Sequence, residues 1–240
     1  MLEYKVKPIP QGYKFTWSIS SMNTYMNCPR RWSEEYIHKN KQPFSQVAQW
    51  GVDVHDALEK SVENGFTDLG SRYESFQYVV DKVKAIADGG WKPHVEAEHC
   101  MNRDIVITGW FDSDAWVRCK IDLTLIKGNA ASVIDYKTGK VPAPQYQSYE
   151  QLRLSNLMIM HKHSEVDLVK SKYWYIAKGG VMSKPVVTKR EDMNETWDEF
   201  FFTTNQMEHA VANNEFPAKR NGLCKKYCHV VNCEFNGRNQ

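Results

Sequence analysis

What the chain lacks narrows its class before any motif is considered. No apolar run in its 240 residues approaches the roughly 18 needed to cross a bilayer, so a membrane span is not expected. The opening MLEYKVKPIP carries charges and prolines where a signal peptide would carry an apolar stretch. The chain is therefore expected to stay in a reducing cytoplasm, that of a bacterium or a phage-infected host, where disulfides among its six cysteines are not expected. Neither sign of charge prevails. The 31 Lys and Arg against 29 Asp and Glu leave a net +2, which neither requires nor excludes a polyanionic partner. No internal repeat, low-complexity tract or clean linker divides the sequence. What is present, 42% hydrophobic residues with 12% aromatics, suffices for a full core in a soluble globular protein. We read residues 1–240 as one domain: a mostly helical part over 1–90, a sheet core over 91–190, and a helix with a cysteine cluster over 191–240.

Periodicity supports that division. Met22, Tyr25, Met26, Trp32 and Tyr36 recur at three- and four-residue spacings, which predicts a helical region over 20–38 interrupted near Cys28-Pro29. Further helices are expected over 47–62, over 73–88 with a stop at Gly89-Gly90, over 145–162 and over 194–213. The segments HVEAEHCM, AWVRCKIDLTLI and ASVIDYK are rich in β-branched and aromatic residues and read as strands, and KYWYIAK and VMSKPVV flank Gly179-Gly180 as a further hairpin. The class expected is α/β, a mixed sheet flanked by helices.

The stretch KIDLTLIKGNAASVIDYKTGK carries the chemistry. A two-residue turn at Gly128-Asn129 pairs Lys127 with Ala130 and, in step, brings Asp122 opposite Asp135. Directly opposed Cβ atoms lie about 4.5 to 5.5 Å apart, where two carboxylates repel unless a cation sits between them. A divalent metal held through oxygen, Mg2+ or Mn2+, resolves the conflict and leaves coordination positions for water and a phosphate. Lys137 follows Asp135 by two, so its ammonium shares that face and can orient a water or stabilise developing phosphate charge. The same register sets Lys120 against Lys137, so the pairing is expected to slip or bulge there. Three cysteines form a C-x3-C-x4-C run, Cys224, Cys228 and Cys233, among basic residues, while Cys28 stands far off before Pro29. Three clustered thiols lack a fourth ligand; tetrahedral zinc would suit such soft donors, and His229 could compete.

In motif order the chain resembles RecB-type nucleases of the PD-(D/E)xK superfamily, which include the RecB and AddB nuclease domains and the CRISPR-associated adaptation nucleases. The resemblance begins with SISSMNTYMNCPRRWSEEY and continues through GVDVHDALE, KIDLTLI, IDYKTGK and QLRLSNLM. It implies a PD-(D/E)xK core, and it carries His55 over as a metal ligand beside Asp122 and Asp135, with Lys137 and Gln151 completing the catalytic set. Ser155 stands where the family commonly has a tyrosine, and the glycine usual before the first acid is Cys119 or Lys120 here. By the same resemblance Cys28 joins Cys224, Cys228 and Cys233 around a [4Fe-4S] cluster, with structural zinc as the alternative. Cys100 and Cys119 are then ordinary buried thiols.

Such a staple would gather Arg30 and Arg31 with Lys219, Arg220, Lys225 and Lys226 into a basic surface for the DNA backbone, with Trp32 and Tyr227 placed to stack on unpaired bases. The function implied is a metal-dependent DNA nuclease, an exonuclease acting on DNA with a free or single-stranded end. A non-catalytic DNA-end-binding protein on the same fold, or a zinc-stapled scaffold, is the alternative; the retained acid, acid and lysine favour activity.

Overall fold

The computed structural model describes residues 6–43 and 45–239. Residues 1–5, part of the opening stretch considered above, and residues 44 and 240 lie outside the described residues. The elements in chain order are α1 (Ile19–Asn27), α2 (Pro29–Trp32), a π-helical turn (Ser33–Ile37), α3 (Gln46–Glu63), α4 (Gln77–Asp88), β1 (Lys92–Met101), β2 (Val117–Lys127), β3 (Ala130–Lys137), α5 (Glu150–Lys162), β4 (Leu168–Tyr175), β5 (Val181–Met182), β6 (Val186–Lys189) and α6 (Met193–Asn213). They fall into two compact units. One comprises the described residues of Met1–Pro43 and Trp197–Gln240; the other comprises those of Phe44–Thr196. No helix among the described residues is long and apolar enough to cross a membrane.

The first unit joins the two ends of the chain. α1 starts at Ser18, whose Oγ accepts the Ser21 N–H, and stops at Cys28, which takes an extended conformation (φ −166°, ψ 106°). The proline that follows is the cause, because the residue before a proline is driven out of the α region while proline itself suits a helix start. Trp32 is fully buried, with Phe15, Tyr25, Tyr36 and Phe216 around its indole and its N–H donated to Ser21 Oγ at 2.8 Å. That burial removes Trp32 from any role in base stacking, whereas Tyr227 stays exposed.

The second unit is built on a mixed sheet in the order β1-β2-β3-β4-β5, with β6 also on β4; only β3 and β4 run parallel. Alternation of side chains gives each face its own core. On one face Leu123, Leu125, Ile134, Tyr136, Trp174 and Ile176 pack with Val54 and Leu58 of α3 and Val79, Val80 and Val83 of α4. On the other, Tyr173 and Tyr175 pack with Leu152 of α5.

The β2–β3 hairpin turns at Gly128, with φ of 58°, and its register is the expected one from Lys127↔Ala130 to Leu123↔Ile134. There the ladder ends, one residue short of the expected Asp122↔Asp135 pair. β3 continues to Lys137 on β4 alone, and β2 continues to Val117 on β1 alone. Three further expectations shift. The helix expected over 73–88 opens as a 3-10 turn at Glu74–Phe76 and is α-helical from Gln77. The helix expected from residue 145 begins at Glu150, after a short 3-10 turn at Pro144–Tyr146. The strand expected over 181–187 splits into β5, beside the end of β4, and β6, beside its start, and Pro185 sits in the break where it has no N–H to donate.

Candidate active site

Beyond the Leu123↔Ile134 pair the parting strands leave room for side chains. Asp122 turns one oxygen to the backbone: its Oδ2 accepts the Tyr136 N–H at 2.7 Å, so a carboxylate engages a group that continued pairing would have used. Its Oδ1 lies 3.2 Å from Nδ1 of His55, which projects from α3 and meets the Tyr136 ring edge-on at 5.9 Å. Ser45 caps α3 by accepting the Ala48 N–H at 3.1 Å, which fixes the helix start from which His55 is reached.

Asp135 is buried on the α5 face. Gln151 donates its amide N–H to Asp135 Oδ1 and accepts from Lys137 Nζ at 3.1 Å, and Lys137 Nζ also lies 2.5 Å from Asp135 Oδ2. Only one orientation of the amide serves both neighbours, since the carboxylate must accept and the ammonium must donate. Burial pushes Asp135 up to about 6, Asp122's charge adds to the rise, and Lys137 opposes it. Two carboxylates at one opening, one of them raised by burial and by the other, form an oxygen donor set that suits a hard divalent cation. The buried Oδ2 of Asp135 has no hydrogen bond, although it is ion-paired with Lys137. As they stand, no three His, Cys, Asp or Glu side chains among the described residues are grouped as a closed metal site. The fit is therefore one of donor chemistry.

One neighbour was not legible in the sequence. Tyr173 lies beside Asp135 in the parallel register, its ring carries Lys137 Nζ 4.9 Å from the centroid, and Tyr149, just ahead of α5, stacks on it at 5.9 Å. The aromatic run KYWY was a signal, but its alignment with IDYK depends on a crossover through α5 that no local spacing encodes. Ser155 is buried, donates to the Gln151 carbonyl at 2.8 Å and lies 3.6 Å from Cys119 Sγ. Burial pushes the Cys119 thiol up to about 12.

In the other unit Cys28, Cys224, Cys228 and Cys233 line one pocket, together with Arg30, Arg31 and Lys219. N–H groups point at three of the sulfurs: Lys219 N to Cys28 (3.4 Å), Asn221 N to Cys224 (3.4 Å) and the Arg30 guanidinium to Cys233 (3.5 Å). Burial pushes the Cys228 thiol up, and it pushes Cys233 up in spite of the opposing Arg30 guanidinium. Asn236 braces the loop by donating to the carbonyls of Cys228 (3.0 Å) and Val230 (3.1 Å). Arg30 is also ion-paired with Glu234, Arg31 binds Glu35 at 2.6 Å, and Lys219 Nζ donates to the Met26 carbonyl at 3.0 Å. Arg220, Lys225 and Lys226 are exposed on the same tail.

Compared with known proteins, the sequence matches the profile of the family described as "PD-(D/E)XK nuclease superfamily" over residues 16–233. No curated protein matches. Among solved structures, a protein from Eubacterium rectale described as a "putative exonuclease" is similar in fold, with a TM-score of 0.55 at 12% identity, covering 90% of this chain and 88% of that one. The protein SSO0001 aligns with a TM-score of 0.44 at 10% identity, covering 93% and 88%.

Proposed function

The chain belongs to the PD-(D/E)XK nuclease superfamily, and from that premise we propose that it is a RecB-like, Mg2+- or Mn2+-dependent DNA nuclease that works as an exonuclease from DNA ends in the cytoplasm. The observation that carries this reading is the convergence of His55, Asp122, Asp135, Lys137 and Gln151 where β2 and β3 part. His55, Asp122 and Asp135 would hold the cation, which when bound supplies charge neutralisation and Lewis-acid polarisation of the scissile phosphate. Lys137 presents its ammonium to the attacking water and to the charge that grows on the phosphate oxygens. Gln151 keeps Asp135 and Lys137 in one arrangement, and the Tyr136 N–H fixes the rotamer of Asp122. Attack in line at phosphorus needs no covalent enzyme intermediate.

We further infer that Cys28, Cys224, Cys228 and Cys233 hold a [4Fe-4S] cluster, a reading supported by their shared pocket and the N–H donors at their sulfurs. The exposed Arg220, Lys225 and Lys226, with Lys219, would follow the DNA backbone. The test is digestion of end-labelled single-stranded and duplex linear DNA beside closed circular DNA. Linear DNA should be degraded with Mg2+ or Mn2+ and circles spared. Equal cleavage of circles overturns the exonuclease reading, and undiminished cleavage in excess chelator overturns the metal mechanism.

A further inference from the structure

The cations that line the cysteine pocket are not engaged alike. Arg31 is bound by Glu35 at 2.6 Å, and Lys219 turns its ammonium to the Met26 carbonyl at 3.0 Å. Arg30 instead brings Nη1 to 3.5 Å from Cys233 Sγ, and the same nitrogen is ion-paired with Glu234, the residue after that cysteine. Its backbone N–H donates to the Pro217 carbonyl at 3.4 Å, which ties the segment after Cys28 to the tail that carries the other three thiols. The Arg30 side chain is 12% exposed and that of Glu234 is 49% exposed.

Electrostatics gives this pair a consequence for a loaded pocket. Four thiolates carry more negative charge than a [4Fe-4S] core neutralises, so the site is anionic and becomes more so on accepting an electron. The Lys219 and Asn221 N–H groups at Cys28 and Cys224 offset that charge with partial dipoles. Arg30 supplies a full charge at Cys233. A guanidinium keeps its proton, and one so nearly enclosed is weakly screened by water and salt. The Glu234 carboxylate, held by the same nitrogen, works against it.

We propose that Arg30 and Glu234 set the reduction potential of the cluster from opposite sides, Arg30 favouring the added electron through its hydrogen bond to the Cys233 thiolate and Glu234 opposing it. This rests on the four-cysteine cluster reading and gives the staple a redox property. The electron comes from a low-potential one-electron donor, and its uptake makes or breaks no bond at these residues.

The experiment is an anaerobic potentiometric titration of the whole protein with dithionite, following the visible absorption, with iron content measured for every variant. Arg30→Gln should lower the midpoint by the equivalent of about tenfold in the reduction equilibrium, about 59 mV for one electron. Arg30→Lys keeps the charge and should recover about half of that shift or more. Glu234→Gln should move the midpoint the other way, and because it retains Arg30 it reports the sign even where Arg30→Gln does not load iron. A fully loaded Arg30→Gln protein with an unchanged midpoint, or a Glu234→Gln protein whose midpoint does not rise, overturns the proposal and leaves the cluster standing. A brown protein that dithionite cannot reduce overturns it as well, and a colourless one overturns it together with the cluster.

Discussion

Lys137 has its ammonium shared among a carboxylate, an amide oxygen and an aromatic face, so its position is set by Asp135, Gln151 and Tyr173 together. Lys137→Ala should reduce cleavage by about a thousandfold or more, the scale on which a transition-state charge donor acts, without loss of DNA binding. Asp122→Asn should do the same, because the amide oxygen can still accept the Tyr136 N–H and only the charge is lost. Full cleavage by either variant, measured against its thermal midpoint, would falsify the assignment. Tyr173 is tested differently. Tyr173→Leu removes the π face and should lower kcat roughly three- to thirtyfold with KM unchanged, and Tyr173→Phe should restore it. A rise in KM at constant kcat would instead make Tyr173 a substrate contact.

At the scale of elements, α5 is the piece that must not drift, since it carries Gln151. Its C-terminal end is held by Arg190, whose guanidinium donates to the carbonyls of Met160 (3.1 Å), His163 (2.9 Å) and Val166. All three bonds leave from Nη2, whose two hydrogens are shared among the three oxygens; the planar guanidinium holds that nitrogen in place, whereas a lysine would bring its ammonium in on a flexible stem. Arg190→Ala should therefore lower stability by about 2 kcal/mol, and Arg190→Lys should recover less than half of that, as read from urea midpoints. A loss within about 0.5 kcal/mol for Arg190→Ala, the range of ordinary surface changes, would show the carbonyls are equally well served by water. The β2–β3 hairpin was legible in the sequence down to its register because a two-residue turn and side-chain alternation are local. Its premature end was not, since it depends on the Asp122 carboxylate engaging the Tyr136 N–H and on His55 arriving from a helix 67 residues upstream. The α5 start and the division into β5 and β6 were missed at single residues, Gln147 and Pro185. Gln147 donates its amide N–H to the Pro142 carbonyl at 3.0 Å, and Pro185 has no N–H for a ladder.

For the molecule as a whole, the six cysteines separate into two kinds. Cys100 and Cys119 are buried within strands, the latter held firmly as a thiol, while the other four line the pocket in the unit that joins both chain ends. Anaerobically purified protein should be brown and hold about four irons per chain. Cys228→Ser should lose the metal and destabilise the fold, whereas Cys119→Ser should keep it. Elemental analysis decides: one zinc in a colourless protein replaces iron with zinc at the same thiols, and wild-type metal in Cys228→Ser removes the four-cysteine site. The grouping of Cys28 with the distant C-x3-C-x4-C run came only through family resemblance, because nothing in the spacing of three thiols identifies the fourth.

The unit that contains those four cysteines draws its residues from the sequence before and the sequence after the sheet-bearing unit. On a ribosome adding roughly 5–20 residues per second, residues 45–196 are all available before Cys224 has been made, so the sheet can form while Cys28 waits without its partners. The pocket closes last, and in each nascent chain Cys28 stays without Cys224, Cys228 and Cys233 for the whole of that interval.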